Sequence, residues 1–445
     1  MKRETPAPHT GKYMFVQCDP WLPEGPPSRV LLLLGWLNGG GAERVAVQLA
    51  NDLNGGALDV RMGLLRRAGR YIDLVEPGRV HFRSWCERWF PADGASATFY
   101  RPDRFLRSVT VGPLAFRSII READPELVVS FCKGPNVLTY LALRAMRGKR
   151  PRWIAREGNN IVRSAREDGR DKARRGLEHA LVRSTYRAAD CVVVNSQQLA
   201  ASLGEHFGLP AGKLRVIRNP VDVEAIRRRD TEPLDAALRG PLIVTTGRLV
   251  AQKGHDIVLR AFAASRFRAS HQLAIVGEGP ERAALGALAA GLGVADRVHF
   301  LGFRSNPWAL MARAELFVLA SRWEGFPNAL LEALACGAPV LASDCRFGPG
   351  EMIEHGRNGW LVPPDDGEAM REALDMLHAA PELRRRLGAA ATRRANEFRR
   401  EVILPQFQAL FQEHAGLSRL ALHPSAGGSL QHSNRGAWRA GLTFS

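Results

Sequence analysis

The run Ser321-Arg322-Trp323-Glu324-Gly325-Phe326-Pro327-Asn328-Ala329-Leu330-Leu331-Glu332 sets two carboxylates on either side of a helix start, with seven residues between them. Pro327 suits the first position of a helix, where its missing N–H leaves nothing unsatisfied. The N–H groups of Gly325, Phe326 and Asn328 then lie at the positive end of the helix dipole, where an anion or sugar hydroxyls can be received. Glu324 belongs to the loop ahead of the helix, and Glu332 stands about one and a half turns into it. Two carboxylates at different depths can grip two parts of one ligand. Glu332 could instead be an ordinary surface residue, yet Leu330, Leu331, Ala333 and Leu334 surround it, and an unpaired charge there would be costly.

A second set precedes it. Thr245-Thr246-Gly247-Arg248-Leu249 follows a short apolar run, and Lys253-Gly254-His255 opens the next helical period. A guanidinium fork and an ammonium point charge at a ligand edge suit a diphosphate better than they suit two solvated loop positions. Gly39-Gly40-Gly41 likewise follows the first apolar run and opens a helix, so backbone can approach a ligand with no Cβ in the way. A tight structural turn reads equally well there, since the G-x-G-x-x-G spacing and downstream acid of a dinucleotide site are missing.

The elements that position these residues repeat one pattern of apolar run, polar turn and helical period. Val30–Gly35, Val60–Leu65, Leu127–Phe131, Trp153–Arg156 and Cys191–Asn195 read as strands, with a helix over Ala42–Leu53. The pattern restarts with strands at Leu242–Thr246, Leu273–Val276, Val298–Leu301, Leu316–Leu319, Pro339–Ala342 and Trp360–Val362. Helices are expected near His255–Ala264, Glu281–Leu292, Asn306–Ala312 and Asn328–Ala335. Such alternation predicts an α/β protein of two Rossmann-like domains facing across a cleft, with ligands beyond the carboxyl ends of the strands. The expected order is a flexible tail (1–28), a first domain (29–221), a linker (222–238), a second domain (239–400), a helix returning toward the first domain (401–415) and a second tail (416–445).

Composition bounds the function. The chain has 445 residues, is 45% hydrophobic and carries a net charge of +17, an ordinary globular balance with room for two or three domains. No apolar run approaches the roughly 18 to 20 residues of a bilayer span, and the proline-rich start lacks the apolar stretch of a secretory signal, so a cytoplasmic chain is expected. The six cysteines form no C-x-x-C pair and the twelve histidines no H-E-x-x-H pair, which argues against a zinc or disulfide framework. Residues 1–220 hold 35 basic and 21 acidic side chains, a balance of +14, and residues 221–445 hold 27 and 24, a balance of +3. A surplus so placed suggests an anionic partner for the first half. Compositional drift explains it equally well, because 55 of the 62 basic residues are Arg, as a GC-rich genome would give.

Glu324 and Glu332 match the E-x7-E motif, and through it the chain resembles the retaining nucleotide-sugar glycosyltransferases of glycosyltransferase family 4. Neighbouring runs agree: Gly247-Arg248 with Lys253-Gly254, Val276-Gly277-Glu278-Gly279-Pro280, Val298–Gly302, Gly337–Val340, Gly356–Val362 and, in the first domain, Gly39-Gly40-Gly41-Ala42-Glu43-Arg44. The resemblance spans about Arg29 to Ala395 and implies the two-domain GT-B architecture. It implies that Arg248 and Lys253 hold the donor diphosphate, that Glu332 binds the nucleotide ribose, and that Glu324 contacts the hydroxyls of the transferred sugar. Gly325, Phe326, Pro327 and Asn328 would line the sugar and phosphate site with Gly39, Gly40, Gly41 and Gly247, while Gly277 and Arg304 would lie around the base. No metal or other cofactor is implied. The chain contains no D-x-D, consistent with cationic side chains and helix dipoles taking the place of a divalent ion.

One departure concerns the first domain, where many relatives place a loop histidine. Here the loop reads Cys132-Lys133-Gly134-Pro135-Asn136, and Lys133 stands open between serving a substrate and being a solvated charge. Arg156-Glu157-Gly158-Asn159-Asn160 ends another strand at the cleft edge, which puts Arg156, Glu157 and Asn159 on the acceptor side. The basic runs Arg144–Arg152 and Arg163–Arg175 suggest peripheral contact with an anionic membrane, against the competing reading of a solvated helix. The expected enzyme moves a hexose or N-acetylhexosamine, UDP-linked, onto a glycan or polyprenyl-diphosphate-linked acceptor at the inner face of a bacterial plasma membrane. The alternatives are a soluble small-molecule acceptor or, in a different class, a nucleic-acid-binding protein. The last leaves both glutamates unexplained and lacks any nucleic-acid recognition motif.

Overall fold

A computed structural model describes residues 26–87, 89–90, 102–159, 172–233, 238 and 240–416. The expected tails, apart from 26–28 and Gly416, lie outside the described residues, as do 234–237, Asn160, Arg163, Arg166 and Arg170.

Seven parallel strands form the first sheet: β1 (Ser28–Leu34), β2 (Leu58–Leu64), β3 (Val80–Phe82), β4 (Leu127–Phe131), β5 (Arg152–Glu157), β6 (Cys191–Val194) and β7 (Leu214–Val216). Their spatial order is β3-β2-β1-β4-β5-β6-β7. The continuous apolar run of β1 is what a sheet covered on both faces requires. Leu31 and Leu33 enter one helix-covered core with Phe116, Trp153 and Tyr186, while Val30, Leu32 and Leu34 enter the other with Val45 and Leu49.

Six parallel strands make the second sheet: β8 (Leu242–Thr246), β9 (Gln272–Val276), β10 (Val298–Phe300), β11 (Ala314–Leu319), β12 (Val340–Ser343) and β13 (Trp360–Val362), ordered β10-β9-β8-β11-β12-β13. In each sheet the order reverses beside the first strand of the domain. That switch point opens a crevice between β1 and β4 and another between β8 and β11. The loops after those four strands carry Gly39–Gly41, Cys132–Lys133, Gly247–Lys253 and Ser321–Pro327, which is why residues far apart in sequence converge.

Asp222 caps the helix Val223–Arg229 by accepting from Ala225 N–H at 2.8 Å. Val223 and Ile226 are buried in the second domain. The helix Arg400–Ala415 lays Ile403, Leu404, Phe407, Leu410 and Phe411 into the core beneath β1, β4 and β5. Arg400 pairs with Asp222 at 2.9 Å, so the two chain crossings between domains run side by side. Arg144, Arg147, Lys149, Arg150 and Arg152 are exposed at the amino edge of β4 and β5, opposite the crevice, and four of them border a groove of about 490 Å³. Among the described residues no helix is long and apolar enough to cross a membrane.

Candidate active site

The second domain supplies the charged groups. Lys253 ends a short turn before the helix His255–Ala264, and its Nζ lies 2.5 Å from Glu324 Oε1, which also accepts from Ser321 Oγ at 2.7 Å. The Glu324 side chain is buried, and Ser321 is fully so. Arg248 is exposed and makes no ion pair among the described residues, yet its charge is felt at Glu43 and Cys132. Its charge thus lies near enough to the first domain to act on both groups, after burial and nearer neighbours. Beside it Gly277 is packed so tightly that a Cβ there would meet the Gly247 carbonyl oxygen at 1.9 Å, which holds the loops after β8 and β9 together. His255 is buried under Lys253, and burial followed by that neighbouring charge pushes its imidazole down to about 4.

Glu332 lies on the helix Asn328–Ala335, 8% exposed among Leu330, Leu331 and Leu334. Pro327 sits at the N-cap in an extended conformation rather than at the first helical position, and the helix runs over Asn328–Ala335 as expected. Phe326 turns its ring inward against Phe398, with centroids 5.6 Å apart, because an apolar ring gains more in the core than in the cleft. Only its backbone remains at the site. The Asn328 amide is spent across the interface, accepting from Asn219 Nδ2 at 2.6 Å and donating to the Gly41 carbonyl at 3.1 Å.

The glycine loop differs from the expected anion cradle in one respect. Glu43 Oε2 accepts from the N–H groups of both Gly39, at 2.8 Å, and Gly40, at 2.7 Å. The loop's first two amides are therefore used internally, in the manner of a helix capping box. Burial holds the Glu43 carboxyl above its ordinary range against those two bonds and Arg248. Gly41 faces the second domain directly, with room for no Cβ, which would come within 2.9 Å of Asn328 Nδ2.

On the acceptor side, burial separates the expected residues. Arg156 is 2% exposed, donates to Asn219 Oδ1 at 2.6 Å and is pushed down to about 10 by desolvation. Glu157 is 1% exposed and accepts from Tyr186 Oη at 2.6 Å and from the N–H groups of Gly158 and Asn159 at 3.0 Å. These two expected contact residues are thus walled in: Glu157 holds the 158–159 loop, and Arg156 holds Asn219. That loop closes the crevice: a Cβ on Gly325 would lie 1.7 Å from the Gly158 carbonyl oxygen. Asn159 is exposed on the same loop. Lys133 is half-buried at the start of the helix Lys133–Arg144 and pairs with Glu178 at 2.9 Å.

Three cross-cleft residues had no role assigned from sequence. Arg44 pairs with Glu332. Arg70 pairs with Glu278 at 2.5 Å and stacks on Phe303 at 4.0 Å, next to the exposed Arg304. Asn219 joins Arg156 to Asn328. Glu43 and Arg44 had a visible signal, since they follow the glycine turn directly; Arg70 and Asn219 had none.

Two doubly covered parallel sheets, with cations and carboxylates converging from both switch points, are the GT-B architecture. Residues 39–225 match the model of "Glycosyltransferase Family 4" and residues 227–394 that of "Glycosyl transferases group 1". The chain belongs to this GT-B group 1 glycosyltransferase family and is a glycosyltransferase. It is 29% identical over 363 residues to N-acetylgalactosamine-N,N'-diacetylbacillosaminyl-diphospho-undecaprenol 4-alpha-N-acetylgalactosaminyltransferase of Campylobacter jejuni, covering 81% of this chain and 93% of that one. Sucrose-phosphate synthase from Thermosynechococcus elongatus superposes with a TM-score of 0.71 at 20% identity, covering 88% and 100% of the two chains. HepE of Anabaena, in complex with UDP and glucose, gives 0.68 at 20% identity, covering 87% and 100%.

Proposed function

We propose that the chain is a retaining, metal-independent glycosyltransferase that moves a hexose or N-acetylhexosamine from a UDP-sugar to a glycan or polyprenyl-diphosphate-linked acceptor in cell-surface polysaccharide assembly. The observation that carries the reading is the convergence of Arg248, Lys253, Glu324 and the start of the helix Asn328–Ala335 at the β8/β11 switch point. As the glycosidic bond breaks, negative charge grows on the leaving diphosphate. Fixed cations and helix-end amides stabilise that charge without reorganising. In this reading Glu324, which Lys253 and Ser321 hold, accepts hydrogen bonds from sugar hydroxyls, and Glu332 accepts them from the ribose.

Metal independence is supported by the lack of D-x-D and by the charge already present. The lipid-linked acceptor is supported by the diphospho-undecaprenol in the name of the Campylobacter relative, and the UDP donor by the HepE complex. Attachment to the inner face of the plasma membrane is supported by the exposed cations of Arg144–Arg152.

A calorimetric screen of UDP-, GDP- and ADP-sugars, followed by product analysis with membrane extracts, tests the reading. One UDP-sugar should bind and be transferred, and Glu324→Gln should abolish transfer. Binding of nucleic acid with no nucleotide-sugar bound would overturn it.

A further inference from the structure

Arg44 lies in the first turn of the helix Gly41–Asp52, beside Glu43. Its Nη1 donates to Glu332 Oε1 of the opposite domain, 288 residues away. Its guanidinium also lies over the ring of Trp308, 5.2 Å from the centroid. A plane on one side and a carboxylate on the other fix both its position and its tilt. One turn earlier the Gly41 carbonyl accepts from Asn328 Nδ2, so the contacts 41–328 and 44–332 advance together along the two helices. The helices thus meet turn for turn, and the meeting places the only polar side chain on the buried stretch Leu330–Ala335 against a cation of the other domain. Among the described residues, Glu332 Oε2 accepts no hydrogen bond.

We propose that Arg44 is a donor-site positioning residue supplied by the opposite domain, which fixes Oε1 of Glu332 and thereby presents Oε2 to the vicinal hydroxyls of the nucleoside ribose. The inference rests on the reading of Glu332 as the nucleoside carboxylate. It adds that the nucleoside is held fully only when the cleft is closed, because opening withdraws Arg44 and leaves Glu332 as a lone charge on an apolar helix face.

Titration with UDP and with 2′,3′-dideoxy-UDP tests this. The unaltered protein should prefer UDP by about tenfold, the size expected for a charge-assisted hydrogen bond to the diol. Arg44→Leu should erase that preference while leaving dideoxy-UDP affinity within about twofold. Arg44→Lys, which keeps the charge and guards against a packing defect, should restore part of it. Arg44→Leu combined with Glu332→Gln should be no worse than either change alone. Equal weakening of both probes by Arg44→Leu would reduce Arg44 to a structural tie and overturn the proposal, and tighter UDP binding would make it a competitor and overturn it too. A preference for UDP that survives Arg44→Leu would overturn the proposal while leaving the ribose role of Glu332 standing. Absence of any preference in the unaltered protein would overturn that role and the proposal together.

Discussion

Lys253 Nζ and Glu324 Oε1 are 2.5 Å apart, and the carboxylate is the more buried partner. The lysine expected on the phosphate and the glutamate expected on the sugar therefore brace one another, whereas Arg248 is exposed and makes no ion pair among the described residues.

The two cations should separate on this ground. Lys253→Ala strands a buried carboxylate with Ser321 alone, and should cost about 3 kcal/mol of stability as well as turnover. Arg248→Ala should leave stability within about 0.5 kcal/mol while lowering kcat at least tenfold, because its charge is called on in the transition state. Paired thermal melts and initial rates check both. A destabilised Arg248→Ala protein with normal turnover would contradict the assignment.

Gly325→Ala should fold yet fail to close. Its added methyl would meet backbone at Gly158, which no rotamer change can relieve. Each domain should keep its secondary structure, scattering should show a larger radius of gyration, and transfer should fall at least tenfold. An unchanged radius with normal activity would show that the crevice does not close on this contact.

Burial of His255 makes stability depend on pH. Its folded value of about 4 lies below the ordinary 6.5, so between those values the unfolded chain binds more protons. The neutral-imidazole contribution is fully present above pH 6.5 and declines as pH falls toward 4, by about 3 kcal/mol in all. His255→Asn should flatten the loss of melting temperature between pH 7 and pH 4.5. An unaltered slope would place the titrating group elsewhere.

Sedimentation with anionic vesicles should occur, fade as salt shortens the screening length from about 10 Å at 0.1 M, and weaken when Arg144, Arg147, Arg150 and Arg152 become Gln. Equal binding to neutral vesicles would point to apolar insertion. No binding to either would leave the +14 of residues 1–220 as compositional drift.

Most of the sheet architecture was readable from sequence because its strands are doubly buried. Runs such as Leu31–Leu34 and Ile243–Val244 have no exposed face to interrupt them. The short edge strands β3 and β7 were not, since Val80–Phe82 and Leu214–Val216 are three residues each and half-covered or exposed. At the site, Arg248, Lys253, Glu324 and Glu332 stood out by residue type and spacing. What spacing could not show was their partners. The Arg44–Glu332 and Asn219–Asn328 contacts join residues 288 and 109 positions apart, and they exist only because of how the two switch points face each other. The spent amides of Gly39 and Gly40 were within reach, because a glutamate three residues beyond a helix cap is itself a capping signal.

The most direct measurement is the proton NMR spectrum of the product formed from a UDP-α-sugar and a membrane-extracted acceptor in excess EDTA. Transfer by a retaining enzyme that uses Arg248, Lys253 and a helix end in place of a metal ion gives an α-linked product at the same rate with and without the chelator. A β-linked product, or activity lost to EDTA and regained with manganese, would contradict it.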